Sequence, residues 1–459
     1  MLVKYFLFGF LLDAQICWSY LVLPFATNRV SLQTPSDAQN VGKPLILTPH
    51  LKSKRIAYAR ELSNVEPFLK GIVSNSGFFT VNETYNSNIF FWFFRKEGKD
   101  WDSAPLVLWL QGGPGCSSLY GLFEENGPFF VTKRGLKRRK YSWTKDFNVL
   151  YIDQPIGSGF SFTNSSSGYI STQEQVADHL YEALSQFFQL YPELKNNNFY
   201  ISGESYAGRY IPAIAFKIHR LKMAGKSNIN LKGLFMISAT IDGIALNNDM
   251  AEFCFQIGII DRRIKEELKT MERDTESHIH SRLWKNASRL MDDILFKIYN
   301  QSSVSFHDYT KSPSSFEDQY IQFLESPDTR KKIHVGNVTY YECSDKVYDD
   351  FDEDIPKTVV PWVEELIEHY PIAFIGGQFD IIVAYPLVIN AIKQLHWSGA
   401  FEYSKANRSI IYDGKRVAGY SKSTGNLKEV LVRLAGHMVP QSQPRVALNL
   451  LNRFVNDKL

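Results

Sequence analysis

Short apolar stretches along the chain alternate with Gly- and Pro-rich breaks. The segments "PLVLWL" (105–110), "NVLYID" (148–153) and "LKGLFMIS" (231–238) are apolar at most positions. A strand covered on both faces has this pattern, because neither face meets water. Between these segments, "QEQVADHLYEALSQFFQLYPEL" and "YAGRYIPAIAFKIHRLKMAG" carry apolar residues at helical spacing. The alternation predicts an α/β fold, with a mostly parallel sheet and helices on both of its faces.

Further strand patterns extend this sheet at both ends of the chain. "GFFTVN" and "NIFFWFFRK" are aromatic runs separated by "ETYNS", which is a hairpin signal. Later, "PIAFIGGQFDIIV" (371–383) and "LKEVLVRLAGHMVP" (427–440) repeat the order of a strand followed by a loop. In parallel sheets the reactive side chains lie at the carboxyl ends of strands. The Gly-rich breaks in this sequence fall at those predicted ends.

Residues 246–355 interrupt the strand pattern. The stretch "DRRIKEELKTMERDTESHIHSRLWKNASRLMDDILFKIYN" is charged, with an apolar stripe at helical spacing. We therefore predict an inserted, mainly helical cap on a core that comprises residues 71–245 and 356–459. "HIH" at 278–280 lies in the charged stretch and is interpreted as solvated. No metal site and no cofactor is predicted.

The first 70 residues lack this order. Lys4 precedes an apolar run at 5–12, which is typical of a signal peptide and too short to span a bilayer. We predict a signal peptide over residues 1–19, with a buried N-terminal strand as the alternative. Residues 20–70 are predicted to form an extended lead-in or a pro-segment. No later segment has the roughly 18 uncharged apolar residues of a transmembrane helix, so no membrane span is predicted.

Charge narrows the range of partners. A net charge of +3 favours neither nucleic acid nor an acidic surface partner. The basic run "KRGLKRRK" (133–140) is interpreted as an exposed loop, which a protease could also cut. The oligomeric state stays open at this point, with a homodimer as one alternative.

Six N-x-S/T sequences agree with passage through the secretory pathway, with secretion or the lysosome as the destination. Cys17 lies in the predicted signal peptide, which leaves Cys116, Cys254 and Cys343. An odd number permits at most one disulfide and leaves one thiol over, and the pairing is open. The predicted glycosylation sites are Asn82, Asn164, Asn286, Asn300, Asn337 and Asn407.

The serine of "GESYAG" (203–208) follows a predicted strand and precedes a predicted helix. That context favours a nucleophile elbow, a sharp turn that exposes a reactive serine. Acyl transfer by serine also requires a base and an acid that orients the base. Candidates for both follow the two late strands, in the chain order Ser, Asp, His that hydrolases use. We therefore predict a catalytic triad of Ser205, Asp380 and His437.

The segment "WLQGGPGCSS" supplies a Gly-rich turn after a buried strand. An oxyanion hole requires backbone N–H donors, and a glycine N–H can approach a substrate closely because no Cβ intrudes. The candidate donors are the N–H groups of Gly113 and of Tyr206, which follows the predicted nucleophile. A plain structural turn is the alternative interpretation.

Taken together, several segments resemble the serine carboxypeptidase family. "WLQGGPGCSS", "IDQPIGSGFSFT", "GESYAGRYIPAIA", "GGQFDIIV" and "AGHMVP" carry the resemblance, which runs from about residue 58 to the C-terminus. "RELSNVEPF", "YNSNIFFWFF" and Gln111 are similar to the vitellogenic-like branch. The resemblance implies an α/β-hydrolase fold and the removal of single residues from peptide C-termini at acidic pH.

The resemblance implies the same triad and oxyanion donors, and a further set that binds the terminal carboxylate of the substrate. Two glutamic acids in such a set would repel a carboxylate unless they hold a proton, and two close carboxyl groups raise an apparent pKa. This predicts activity that falls as pH rises, although the triad His favours the opposite trend. Without the family, solvated surface acids are the alternative. The set is Trp109, Gln111, Glu125 and Glu204.

Three departures from the family pattern bear on function. Gln111 replaces a common Asn, and Ser442 stands where an acidic residue commonly follows the His motif. The segment "ISATIDG" (237–243) lacks two glycines of a loop that lies near the cleft in the family. The shape of the pocket therefore bears on activity. The alternatives to a carboxypeptidase are a catalytically impaired, glycosylated binding protein on the same scaffold and a serine-carboxypeptidase-like acyltransferase.

Overall fold

The computed structural model describes residues 41–313 and 319–459. The predicted signal peptide and residues 20–40 of the predicted lead-in lie outside these residues. Where the sequence predicts an extended lead-in, two short helices and a short strand occupy 48–65. Leu47, Leu51 and Ala59 are buried in the core there. The core therefore begins before residue 71, because these apolar side chains pack against the sheet and its helices.

The described residues contain one large sheet and one separate hairpin. The strands are Asn64–Val65 (β1), Ser74–Asn82 (β2), Ser87–Phe94 (β3), Leu106–Leu110 (β4), Phe129–Thr132 (β5), Gly135–Arg138 (β6), Asn148–Ile152 (β7), Phe199–Glu204 (β8), Leu231–Ile237 (β9), Ile372–Gly377 (β10), Ser409–Asp413 (β11), Arg416–Thr424 (β12) and Leu427–Val432 (β13). The large sheet has the order β1-β2-β3-β7-β4-β8-β9-β10-β13-β12-β11. Its strands from β7 to β13 in this order run parallel, and antiparallel strands flank them on both sides.

The described residues also form α-helices. They are Thr48–Lys52 (α1), Ile56–Leu62 (α2), Gln173–Leu190 (α3), Ala207–Met223 (α4), Gly243–Asn247 (α5), Met250–Gln256 (α6), Arg262–His280 (α7), Trp284–Ser302 (α8), Gln319–Glu325 (α9), Pro327–Lys332 (α10), Asp345–Asp350 (α11), Val360–Ile367 (α12), Tyr385–Lys393 (α13), Ala400–Lys405 (α14), Val439–Ser442 (α15) and Pro444–Val455 (α16). The predicted mostly parallel sheet with helices on both faces is confirmed.

Two apolar cores lie on opposite faces of the sheet. All five residues of β4 are buried, and they alternate between the cores because successive side chains of a strand point to opposite faces. Leu108 joins the core that contains residues of α3 and α4. Trp109 joins the core that contains residues of α16. Burial on both faces explains why β4 has an uninterrupted apolar sequence.

The register of the central strands brings several loops to one edge of the sheet. Leu110 of β4 pairs with Gly203 of β8, and Glu204 of β8 pairs with Ile237 of β9. Gly377 of β10 pairs with Val432 of β13. Because these strands are parallel, the loops that follow them leave the sheet on the same side. This edge is where the predicted functional residues lie.

The described helices α6 to α11 lie within the stretch predicted as a cap. Asp261 caps the N-terminus of α7, and its side chain accepts a hydrogen bond from the N–H of Ile264 at 2.8 Å. A third apolar core joins α6, α7 and α8 to Ile381, in the loop after β10. The helical segment is therefore packed against the edge of the sheet at which the loops leave.

One disulfide ties the two parts together. Cys116, in the Gly-rich turn after β4, is bonded to Cys343, just before α11. Cys254 is the buried free thiol. Of the three cysteines whose pairing the sequence left open, the structure therefore joins the first and the last.

The basic run at 133–140 is not simply a loop. Its residues Gly135–Arg138 form β6, which pairs with β5 in the separate hairpin. The interpretation as an exposed loop is thus wrong for these four residues, because their backbone groups are paired with Phe129–Thr132. Among the helices that the structure describes, none is long and apolar enough to cross a membrane.

Candidate active site

Ser205 occupies a sharp turn between β8 and α4. Its φ is 63°, in the left-handed region that residues with a side chain rarely adopt. Small neighbours make this turn sterically feasible. A Cβ at Gly203 would lie 2.2 Å from the carbonyl oxygen of Leu110, and one at Gly208 would lie 2.6 Å from that of Thr240. The structure therefore has the strand, turn and helix of a nucleophile elbow at this position.

The second small residue of the elbow is Ala207, where the five-residue pattern usually has glycine. Its Cβ lies 3.0 Å from the position that a Cβ at Gly203 would occupy. An alanine fits here because residue 203 has no side chain. The departure from the pattern therefore leaves the turn intact.

Asp380 and His437 form a buried hydrogen-bonded pair. Asp380 Oδ2 lies 2.7 Å from His437 Nδ1, and the two side chains are 0% and 3% exposed. The other carboxylate oxygen of Asp380 accepts a hydrogen bond from the N–H of Val383 at 3.0 Å. The strand predicted to end at Asp380 ends earlier, at Gly377, so this acid lies in the following loop. The pair holds the imidazole through Nδ1 and leaves Nε2 for a second contact.

Ser205 and His437 line the same cavity, which has a volume of about 230 Å³. Among the described residues, Ser205 Oγ makes no hydrogen bond with the His437 ring. Catalytic hydrogen bonds are often long before substrate binds and shorten in the complex. The structure thus brings the three predicted triad residues to one place, with the serine and histidine side chains not yet joined.

The two candidate oxyanion donors belong to residues that line the same cavity as Ser205. In the described part of the chain, neither the N–H of Gly113 nor that of Tyr206 donates a hydrogen bond to another backbone group. Gly112 makes the close approach possible, because a Cβ there would lie 2.8 Å from the Cβ of Ser205. Gly113 has a φ of 113°, which favours glycine. Both N–H groups are therefore available to a developing negative charge.

A buried cluster of polar side chains lies beside the elbow. Trp109 Nε1 donates to Gln111 Oε1 at 2.9 Å, which fixes the orientation of the amide. Gln111 Nε2 then points at Oε1 of Glu204, 3.0 Å away, and Oε1 of Glu125, 3.4 Å away. All four side chains are buried. The alternative of solvated surface acids is therefore wrong for Glu125 and Glu204.

Burial changes the acidity of the two glutamic acids. It raises the pKa of Glu125 to about 7, although Gln111 and the neighbouring His437 act in the opposite direction. Burial and the negative charge of Glu125 raise the pKa of Glu204 well above its usual value. Among the described residues, Oε2 of each carboxyl group has no hydrogen-bond partner. A protonated carboxyl group in this position can donate a hydrogen bond to a bound carboxylate.

The loop at 237–243, which departs from the family pattern, contacts the triad directly. Ser238 Oγ donates to the carbonyl oxygen of His437 at 2.8 Å. The N–H of Thr240 donates to the carbonyl oxygen of Ser205 at 3.2 Å, and Thr240 also lines the cavity. Ser238 adopts a φ of 42° without being glycine. The loop therefore supports the turn at Ser205 and forms part of the cavity wall.

Two further groups stabilise the loops around the site. Ser442, where an acidic residue is common, accepts a hydrogen bond from the N–H of Gly436 at 3.3 Å. Asp153 accepts hydrogen bonds from Ser117 Oγ at 2.7 Å and from the N–H of Ser118 at 3.0 Å. Burial raises the pKa of Asp153 to about 6. Asp153 therefore anchors the end of the Gly-rich turn through Ser117 and Ser118. Its segment "IDQPIGSG" did not reveal this role.

Sequence reasoning missed the cavity residues that come from the predicted cap. The carbonyl oxygen of His307 accepts a hydrogen bond from the N–H of His437 at 2.6 Å, and the two ring centroids are 5.3 Å apart. Met291 and Leu295 of α8 line the same cavity. None of these residues belongs to a strand end or a motif, so no local signal could have identified them. The described residues contain no group of three or more His, Cys, Asp and Glu side chains placed to hold a metal.

Comparisons with known proteins agree with this architecture. A family model described as serine carboxypeptidase matches residues 67–457. The venom serine carboxypeptidase of Apis mellifera is 41% identical over 433 residues, covering 92% of both chains. The probable serine carboxypeptidase CPVL of Homo sapiens is 40% identical, covering 94% of this chain and 92% of its own. The vitellogenic carboxypeptidase of Aedes aegypti is 39% identical and covers 92% of each.

A solved structure has a similar fold. The crystal structure of Kex1(Δ)p, a prohormone-processing carboxypeptidase from Saccharomyces cerevisiae, superposes with a TM-score of 0.77 at 24% identity. The match covers 87% of this chain and 96% of that one. The likeness confirms the predicted α/β-hydrolase fold.

Proposed function

This chain belongs to the serine carboxypeptidase family, and we propose that Ser205, His437 and Asp380 carry out its hydrolysis of peptides. Ser205 Oγ attacks the carbonyl carbon of the last peptide bond while His437 Nε2 accepts the hydroxyl proton. Asp380, held 2.7 Å from Nδ1, stabilises the imidazolium that forms. His437 then gives the proton to the departing amino group, and a water molecule activated in the same way releases the acyl group from Ser205.

The N–H groups of Gly113 and Tyr206 stabilise the oxyanion in this mechanism. The support for this role is that both residues line the cavity of Ser205 and that neither N–H is used by another backbone acceptor in the described part of the chain. Donors that are already oriented stabilise developing charge without a cost of reorganisation.

The cluster of Trp109, Gln111, Glu125 and Glu204 binds the terminal carboxylate of the substrate. The observation that carries this proposal is the buried Gln111 amide, 3.0 Å from Glu204 in the cavity of Ser205. With their pKa values raised, the glutamic acids hold protons under acidic conditions and donate to the carboxylate. An internal peptide bond has no such carboxylate, so cleavage is confined to the end of the chain.

The test is hydrolysis of N-blocked dipeptides between about pH 4 and pH 7. We expect release of the C-terminal residue by the wild-type protein and none by Ser205→Ala. A serine-directed phosphonofluoridate should label the wild type stoichiometrically and leave Ser205→Ala unlabelled. Absence of both turnover and labelling would instead favour the binding protein. Transfer products with added alcohols or amines, in place of free acid, would indicate the acyltransferase.

We also propose that the chain passes through the secretory pathway, for secretion or lysosomal delivery, and carries N-linked glycans. Five of its six acceptor asparagines are exposed, and Asn82 is partly exposed. The disulfide between Cys116 and Cys343 is typical of oxidising compartments. Removal of N-linked glycans should reduce the mass of the protein made in a eukaryotic host, and Asn164→Gln should remove one step of that reduction.

We propose that residues 246–355 act as a cap over the α/β core. Its support is that Met291 and Leu295 of α8 line the cavity that contains Ser205. The cap would then shape the space that receives the side chains of the peptide.

A further inference from the structure

The cavity carries two acidic side chains that the mechanism does not use. Glu342 and Asp292 line it together with the proposed catalytic residues. Much of the remaining wall is apolar, with Leu246, Leu295 and Ile382 among its members. No lysine or arginine is among the described residues that line this space. A cation would therefore find complementary charge here, and an anionic side chain would not.

Glu342 is attached to the loop that carries the oxyanion donor. Its neighbour Cys343 is bonded to Cys116, three positions after Gly113. The carbonyl oxygen of Glu342 accepts a hydrogen bond from the N–H of Ser117 at 2.7 Å. These two links hold the backbone of Glu342 against the Gly-rich turn.

Aromatic side chains connect Glu342 with the carboxylate cluster. The hydroxyl of Tyr320, which is 3% exposed, donates a short hydrogen bond to Glu342 Oε1. The ring of Tyr320 lies 6.3 Å from that of Tyr120, between centroids. Tyr120 directly precedes the helical turn Gly121–Asn126, which carries Glu125. Tyr120 is therefore next to the turn that carries Glu125 and near the ring whose hydroxyl bonds Glu342.

Electrostatics agree with this position. Burial raises the pKa of Tyr120 well above its usual value, and the negative charges of Glu125, Glu204, Glu124 and Glu342 add to that effect. The charges that act on Tyr120 therefore include the glutamic acids of the cluster as well as Glu342. A terminal residue whose carboxylate is bound at Gln111 therefore has Tyr120 and Glu342 in the walls of the same cavity.

We propose that Glu342 makes this enzyme selective for peptides that end in lysine or arginine. The inference rests on the proposed function of the carboxylate cluster, which fixes where the last residue lies. The carboxylate of Glu342 then pairs with the ammonium or guanidinium group of that residue. Charge-assisted hydrogen bonds of this kind are stronger than neutral ones. Tyr320 is a positioning residue, because its hydroxyl holds the carboxylate.

Asp292 provides a matched control in the same cavity. It lies on α8 and accepts a hydrogen bond from the hydroxyl of Tyr348 at 3.2 Å. Unlike Glu342, it belongs to a helix and is not adjacent to the cysteine that is bonded to the Gly-rich turn. A general effect of negative charge would involve both acids, whereas a specific contact with the last residue involves Glu342 alone.

The experiment compares N-blocked dipeptides that share one first residue and end in Lys, Arg, Leu or Phe. We expect the wild type to prefer Lys and Arg in kcat/KM. Glu342→Gln should lower kcat/KM for these two by about 10- to 100-fold, and change the Leu and Phe substrates by less than about threefold. Asp292→Asn should leave the ratio of Lys to Leu close to that of the wild type. Glutamine can still accept the Tyr320 hydrogen bond, so the fold of the loop is preserved.

Separate outcomes distinguish this inference from the function on which it rests. If the Leu substrate is cleaved and Ser205→Ala abolishes its cleavage, the proposed function stands. The inference is then overturned if the wild type does not prefer Lys and Arg, or if Glu342→Gln lowers kcat/KM equally for all four substrates. It is also overturned if Asp292→Asn lowers the ratio of Lys to Leu as much as Glu342→Gln does. If no dipeptide is hydrolysed, both the proposed function and the inference are rejected. A Tyr320→Phe variant should lower the Lys to Leu ratio in the same direction as Glu342→Gln, and to a smaller extent.

Discussion

Asp380 and Glu204 are acidic side chains at the same edge of one sheet, and both are buried, yet their surroundings differ. Asp380 accepts hydrogen bonds from the His437 ring and from the N–H of Val383. Glu204 faces the amide of Gln111 and the carboxyl group of Glu125. Donors on every side suit an ionised carboxylate, whereas burial beside a like charge favours the neutral acid. Two acidic side chains at one edge of the sheet therefore occupy different environments, one that suits an ionised carboxylate and one that favours the neutral acid.

The largest effect is expected from a substitution of Asp380, which bonds His437. Asp380→Asn places an amide against His437 Nδ1, which favours the wrong tautomer of the imidazole. We expect kcat on a blocked dipeptide to fall by about 10⁴-fold, with little change in thermal stability. Glu204→Gln is the matched control, since it should retain labelling of Ser205 by a phosphonofluoridate. Retention of more than a tenth of wild-type kcat in Asp380→Asn would contradict the role assigned to this acid.

The surroundings of Glu204 and Glu125 are expected to control how kcat/KM depends on pH. Since the pKa of Glu125 is raised to about 7, its proton is lost as the pH rises through that value, and the substrate carboxylate is then repelled. We expect kcat/KM of the wild type to fall above about pH 7, and the fall to be weaker in Glu125→Gln, whose amide cannot ionise. Steady-state rates between about pH 5 and pH 8 measure this.

The control for that profile is a substrate without a free carboxylate, such as a peptide amide. The kcat/KM of this substrate should not fall in the same way as the pH rises, because it has no terminal carboxylate for the ionised Glu125 and Glu204 to repel. An identical alkaline fall for acid and amide substrates would show that Glu125 does not cause the effect.

The same raised pKa has a smaller consequence for stability. In the unfolded chain Glu125 has its usual pKa of 4.5, and in the folded protein the value is about 7. The folded state therefore binds this proton more tightly, and its contribution to stability is complete below pH 4.5 and is lost as the pH rises through about 7. We expect Tm to decrease over this interval, and to decrease less in Glu125→Gln. Thermal unfolding of Ser205→Ala, which keeps both acids, should follow the wild type.

The smallest effect is expected at a third buried acid, Asp354, which contacts Tyr206 next to the predicted nucleophile. Asp354 Oδ2 accepts hydrogen bonds from the Tyr206 hydroxyl at 2.5 Å and from Gln173 Nε2 at 2.6 Å. Its proposed role is positional, because it holds Tyr206, whose N–H is a candidate oxyanion donor. We expect Asp354→Asn and Tyr206→Phe each to lower kcat by about tenfold with KM nearly unchanged. A larger loss in KM than in kcat would show that the contact serves substrate binding instead.

Much of the fold follows from local pattern. β4 and β7 are apolar throughout because both faces of each strand are covered. Residues 41–65 were harder to predict, since their helices are short and gain their stability from packing on the sheet. β6 was missed for a similar reason, as a charged sequence such as "GLKR" becomes a strand only through pairing with β5. Weak local preferences are decided by tertiary contacts.

The sequence alone was sufficient for the α/β architecture, the elbow around Ser205, and the chain order of Ser205, Asp380 and His437, because strand periodicity and turn chemistry are short-range properties. Tertiary structure decided the pairing of Cys116 with Cys343, which are 227 positions apart. It also brought Gln111 to Glu204 across 93 positions and made their environment dry. Protonation and substrate selectivity depend on such contacts, since burial and neighbouring charge set the energy of an ionised group, and neither is encoded in any short stretch of the chain.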